Sequence, residues 1–165
     1  LKSVSHLFIR KNMEYIIALD LSLSSTGVSI FNQDGRIQKI ITIETDSKSE
    51  TQFRLKKLGK ELSKIKKEFS PIKIIIESGF TRFNISTQML FRCHGVAQYI
   101  FSDIEQIYYY PMTIRKIVCG KGNVDKKTLQ NFILNKYKNV KFKNMDESDS
   151  FGIGLAYFMD KGILK

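Results

Sequence analysis

Tyr15-Ile16-Ile17-Ala18-Leu19-Asp20-Leu21-Ser22-Leu23-Ser24-Ser25-Thr26-Gly27 decides how the rest of the chain is read. An unbroken apolar run from Tyr15 to Leu19 stops at a carboxylate. Such a run predicts a strand buried on both faces, with an acid at its edge. Ser22 to Gly27 is rich in small residues and predicts a turn whose backbone can approach a ligand, with Thr26-Gly27 bending into the next strand. Val28 to Asn32 resumes as a second strand, Asp34-Gly35 is a hairpin signal, and Ile37 to Glu44 alternates as a third strand. These three segments predict an antiparallel meander.

Working outward, residues 51–69 predict an amphipathic helix with Phe53, Leu55, Leu58, Leu62, Ile65 and Phe69 inward. Its lysines, Lys56, Lys57, Lys60, Lys64, Lys66 and Lys67, read first as a solvated face and second as a DNA surface. Ser70-Pro71 stops the helix. Ile72 to Glu77 is a buried strand that again ends on an acid. Residues 85–103 predict a helix, with Gly95 expected to pack closely on the sheet. Gln106 to Tyr110 is a short strand, and Met112 to Cys119 a helix started by Pro111. Lys126 to Tyr137 is a helix with Leu129, Phe132, Ile133 and Tyr137 inward, and Asp146 to Lys161 is a last, amphipathic helix. The order predicts an α/β domain with a mixed sheet, the first strand central beside the fourth, bringing Asp20 near Glu77.

Composition narrows the partners. The 165 residues suit one domain with a real core. Lys and Arg number 27 against 16 Asp and Glu, a net charge of +11 that favours a polyanion. Lysine outnumbers arginine, which suits diffuse phosphate contact. No apolar run approaches the roughly 20 residues that span a bilayer. Cys93, Cys119, His6 and His94 follow no ligand spacing, which argues against zinc and for free thiols in a reducing compartment. Residues 1–12 precede Met13 and are expected to be dispensable, leaving 13–165 as the domain.

In so basic a chain, acids at the ends of core elements need a reason. Asp146 and Asp149 are three residues apart and share one helix face. Helix capping accounts for one of them. Crowded carboxylates repel and raise one another's pKa, a cost that a bound hard cation removes. Four acids suffice for two Mg²⁺ ions of the kind that cleave phosphodiesters.

The spacing Asp20, five residues, Thr26-Gly27 is shared by RNase H-like nucleases and actin-like sugar kinases, and this chain is short for the latter. From about Tyr15 to Tyr157 the chain resembles the RuvC family of Holliday junction resolvases, in particular its phage-type members. Asp20 with Thr26-Gly27 matches the first catalytic segment, Glu77 the second acid, and Asp146 and Asp149 with Ser150 the C-terminal pair. Glu147 falls outside that spacing and is expected to support it. Phe80 resembles the aromatic that wedges into the junction centre. Pro111 to Lys126 is similar to the basic region, with Arg115 and Lys126 at the positions of its important lysines. Cys93-His94-Gly95-Val96-Ala97 resembles the second helix, which helps form the dimer interface. Arg115 in place of lysine keeps charge but changes geometry, and Leu21 and Ser22 replace the usual Gly-rich residues. Gly120-Lys121-Gly122 lacks the full phosphate-loop pattern and reads as a flexible turn.

The resemblance implies an RNase H-like fold, a five-stranded mixed sheet flanked by helices. It implies a crossover junction endonuclease that makes paired symmetric nicks in four-way or branched DNA and leaves 5′-phosphates. Two Mg²⁺ ions, with Mn²⁺ a substitute, would be held by Asp20, Glu77, Asp146 and Asp149. DNA contacts would come from Phe80, Arg115, Lys121, Lys126 and Lys127. A two-fold homodimer through the helix around Met89 to Phe101 would supply two active sites, in the cytoplasm of a bacterium or phage-infected cell and without a membrane. Two other readings stay open: a related nuclease acting on flaps, single strands or RNA, and a non-catalytic junction-binding protein.

Overall fold

The structure, a computed structural model, describes residues 14–79 and 85–165. The expectations for residues 1–12, His6 and Phe80 lie outside the described residues. The elements are β1 (Tyr15–Asp20), β2 (Ser25–Asn32), β3 (Ile37–Glu44), α1 (Thr51–Phe69), β4 (Lys73–Glu77), α2 (Ile85–Ile100), β5 (Glu105–Tyr109), α3 (Pro111–Cys119), α4 (Lys126–Lys136) and α5 (Met145–Asp160). The five strands form one mixed sheet in the order β3-β2-β1-β4-β5, antiparallel across the first three and parallel from β1 to β5. No helix among the described residues is long and apolar enough to cross a membrane.

Side-chain alternation divides the core in two. Ile17, Leu19, Ile74 and Ile76 face α1 and α2, while Ile16, Ala18 and Ile75 face α3, α4 and α5. Leu19 pairs with Ile76, so Asp20 and Glu77 end adjacent parallel strands side by side. Asp20 follows Ile16 and Ala18 in phase, and Glu77 follows Ile75. The alternation aims both acids at the α5 side of the sheet.

Several expectations change. The predicted turn is shorter, because β2 already begins at Ser25. Thr26 closes it: its Oγ1 donates to the Ser22 carbonyl at 2.7 Å and accepts from the Ser22 amide at 3.1 Å. Gly27 lies within the strand, opposite Asp20, with no positive φ. A Cβ there would stand 1.9 Å from the Asp146 carbonyl oxygen, so glycine is required by the approach of α5 rather than by a bend. Gly95 behaves in the opposite way to its expectation: it faces solvent, and a Cβ would meet nothing within 4 Å. Phe53 and Phe132 are exposed, not inward. Phe53 sits in the first turn of α1, ahead of its buried residues Leu58, Leu62 and Ile65.

The last helix is the largest correction. It is not amphipathic; every residue from Glu147 to Phe158 is buried. From Phe151 to Phe158 no polar face is left, the mark of a central helix, and the buried polar residues sit in its first turns. α5 is covered by the sheet on one side and by α3 and α4 on the other. Its contact with β2 is a fitted series. Gly27 meets Asp146, Ser29 Oγ meets Ser150 Oγ at 2.8 Å, and Phe31 covers Gly154. Two residues of strand advance about 6.8 Å and four residues of helix about 6 Å, so the series stays in step.

Candidate active site

Three local structures deliver four carboxylates to one end of the sheet. The hydrophobic pairing of β1 with β4 brings Asp20 and Glu77 there. The third delivery depends on how α5 starts. Asn144, not an aspartate, is its N-cap and accepts from the Glu147 amide at 3.0 Å. Glu147 Oε2 accepts from the Lys143 amide at 2.7 Å and its Oε1 from Thr42 Oγ1 at 3.0 Å. Asn144 Nδ2 also donates to Thr42 Oγ1 at 3.1 Å. This reciprocal box, close to the capping-box pattern, pins the helix to β3. Capping is therefore done by Asn144 and Glu147, and neither Asp146 nor Asp149 is needed for it.

Each of those two acids has a partner. Ser25 Oγ donates to Asp146 Oδ2 at 2.5 Å. The Lys126 ammonium, at the start of α4, is ion-paired with Asp149 Oδ2. Asp149 is only 7% exposed whereas Lys126 is half in solvent. Asp125 caps α4 by accepting from the Thr128 amide at 2.7 Å, which sets Lys126 in the first helical turn.

The electrostatics record the crowding. Burial pushes the Asp20 carboxyl up to about 8; Asp149, Glu77 and Asp146 push the same way, and Lys126 opposes them. Burial also raises Glu77, with Asp149 adding and Lys126 and Arg115 opposing. Asp149 is raised by burial and by Asp146, against its bond to Lys126 and the charge of Arg115. Burial pulls the Lys126 ammonium down, but Asp149, Asp20 and Glu77 outweigh it and hold its pKa above the ordinary value.

The sequence-predicted residues therefore sort cleanly. Asp20, Glu77, Asp146, Asp149, Lys126 and Arg115 share one electrostatic cluster. Lys121, in the loop after α3, and Lys127, in the first turn of α4, are exposed, and neither figures among the charges that shift the four acids. Ser25, Thr42 and Asn144 were missed, whereas Glu147, expected to support the pair, does so through this network. An Asn-x-x-Glu step before a buried helix was the available signal for the network; nothing in the sequence marked Ser25.

The donor set suits a hard divalent cation. It is all oxygen, Asp149 is buried and the other three are half-buried, and three of its acids are held above their ordinary range. Among the described residues no three His, Cys, Asp or Glu side chains are arranged to hold a metal ion as they stand. Ser25 and Lys126 engage oxygens that a cation would take.

A mixed sheet in this strand order, with a helix packed across β1 and β2, is an RNase H-like fold. The family described as crossover junction endodeoxyribonuclease RuvC matches residues 16–157. The chain belongs to the RuvC family. RuvC of Alkaliphilus oremlandii is 28% identical over 149 residues, covering 86% of this chain and 91% of that protein. RuvC of Alkaliphilus metalliredigens is 32% identical over 124 residues, covering 72% and 76%. Thermus thermophilus RuvC, solved in complex with a Holliday junction substrate, superposes with a TM-score of 0.78 at 13% identity, covering 90% of this chain and 94% of that one.

Proposed function

We propose that this protein is a divalent-metal-dependent endonuclease that cuts four-way DNA junctions by paired symmetric nicks. The observation that carries this reading is the convergence of Asp20, Glu77, Asp146 and Asp149 at one end of the sheet in a strongly basic RuvC-family chain. Asp20, Glu77, Asp146 and Asp149 would hold two Mg²⁺ ions, with Mn²⁺ a substitute. When bound, such ions supply water activation and charge stabilisation for in-line phosphoryl displacement. The β1–β4 pairing orients Asp20 and Glu77, the Asn144–Glu147 box fixes the pitch of Asp146 and Asp149, and Ser25 steers Asp146. Water oxygen bonds to phosphorus as the bond to the 3′ oxygen breaks, leaving a 5′-phosphate and a 3′-hydroxyl.

Arg115 and Lys126 offset the acids and meet the phosphodiester, while the exposed Lys121 and Lys127 extend the phosphate contacts. Phe80 stacks on splayed bases. A homodimer through α2 supplies two active sites for a two-fold substrate. Residues 13–165 carry the activity, in the cytoplasm. The test is cleavage of synthetic four-way, flap and RNA–DNA hybrid substrates in Mg²⁺, with mapped ends, by wild type and Asp20→Asn. Symmetric cuts in the four-way substrate, lost in the variant, are expected; faster cutting of flaps or hybrids would overturn the junction reading.

A further inference from the structure

A groove of about 300 Å³ opens beside the β1–β2 turn that follows Asp20, and the four acids make no use of it. One wall carries the polar groups of Ser22 and Ser24 of the turn and Arg54 of α1, with Leu23 between the two serines. The other is mostly apolar, from Ile85, Met89 and Leu90 of α2, with Ser86 at its exposed side. The guanidinium of Arg54 is fixed in place. Its Nε donates to Thr45 Oγ1 at 2.9 Å and its Nη2 to Ser24 Oγ at 3.0 Å. Thr45 is itself anchored, donating to the Leu23 carbonyl at 2.5 Å.

These anchors are neutral hydroxyls, and none of the ion pairs among the described residues involves Arg54. A guanidinium carries about five N–H donors, so most remain available after those two bonds. Holding a cation rigidly with no carboxylate partner suits an acceptor from outside the chain. The volume lies at the small end of the roughly 300–1,000 Å³ of ligand pockets, with room for one base. A polar wall facing an apolar one matches a base, which has a hydrogen-bonding edge and a stacking face.

We propose that this groove takes one unstacked nucleobase of the strand being cut, with Arg54 on its acceptor edge and Met89 and Leu90 against its face. Arg54 is then a specificity-determining residue, and the base beside the cut is read by the wall of the same turn that follows Asp20. This deepens the junction-cutting reading and rests on it.

The test uses four-way junctions with randomised bases around the mapped cut, with product ends sequenced. Wild type should discriminate at one position by roughly tenfold, the scale of one good side-chain-to-base contact. Arg54→Gln should reduce that preference to less than about threefold. Ser86→Trp, at an exposed position lining the groove, should do the same without touching the core or the Arg54 anchors. A merely structural Arg54 would lower the rate on every sequence alike and leave the preference intact. Preference unchanged in the two variants, or absent in wild type, overturns the groove as a base site. No cleavage of any junction by wild type overturns the parent reading as well.

Discussion

At the scale of single residues, Asp20 shows what an acid placed among other acids costs the fold. Its carboxyl is buried among like charges and raised to about 8 from an ordinary 3.8. At neutral pH the unfolded chain ionises this group freely and the folded chain does not, so the acid weakens the fold. Asp20→Asn should therefore abolish cleavage and, in the presence of a chelator, raise Tm by a few degrees, worth about 1–2 kcal/mol. Thermal melts at pH 7 check this; an unchanged or lower Tm would show that the carboxylate is compensated in the fold. His94 gives a separate pH signature. Burial pulls its imidazole below the ordinary 6.5. The unfolded chain takes up the proton first as pH falls, so stability is full above about 6.5 and is lost below it. His94→Gln should flatten the dependence of urea midpoint on pH between roughly 6.5 and 5.

At the scale of elements, the meeting of β2 with α5 has the least tolerance. A Cβ at Gly27 would collide with backbone, which cannot rotate away as a side chain can. Gly27→Ala should cost more than about 3 kcal/mol and reduce activity with it, because the same contact sets the height of Asp146. Gly95→Ala is the matched control within one chain: the position is helical and open there, and alanine should stabilise the monomer by about 0.5–1 kcal/mol. Urea denaturation of the two variants decides both. The lysine face of α1 belongs here too. Lys56, Lys60 and Lys64 stand four residues apart as like charges, so Lys60→Glu should add a few tenths of a kcal/mol of stability.

At the scale of the whole molecule, the exposed aromatics of α2 carry the assembly prediction. Phe91 is 44% exposed and Tyr99 is 81% exposed, flanking the bare backbone of Gly95 four residues from each. Together they form a helix face on which a second copy can approach closely. Sedimentation should give a dimer for wild type and a 19.1 kDa monomer for Phe91→Glu with Tyr99→Glu. The monomer should lose paired nicking while its Tm in isolation changes little, since both side chains lie outside the core. With a net charge of +11, junction affinity should also fall steeply with added salt.

The sequence by itself determined the strands, their order of appearance and the acids that end two of them. Buried runs such as Ile74-Ile75-Ile76 and the Asp34-Gly35 turn are local statements, written in periodicity and turn chemistry that need no partner. It also singled out four acids to be tested, because Asp20, Glu77, Asp146 and Asp149 interrupt patterns that otherwise favour apolar or basic residues. Tertiary structure alone decided what those residues touch. Gly27 and Gly95 look alike in one dimension, yet one admits the carbonyl of Asp146 and the other faces open solvent. The last helix reads as amphipathic until α3 and α4 cover its far side, and Lys126 becomes the counter-charge of Asp149 only when α4 packs against α5. Burial, close approach and charge pairing are sums over elements far apart in the chain, and no window of sequence contains them.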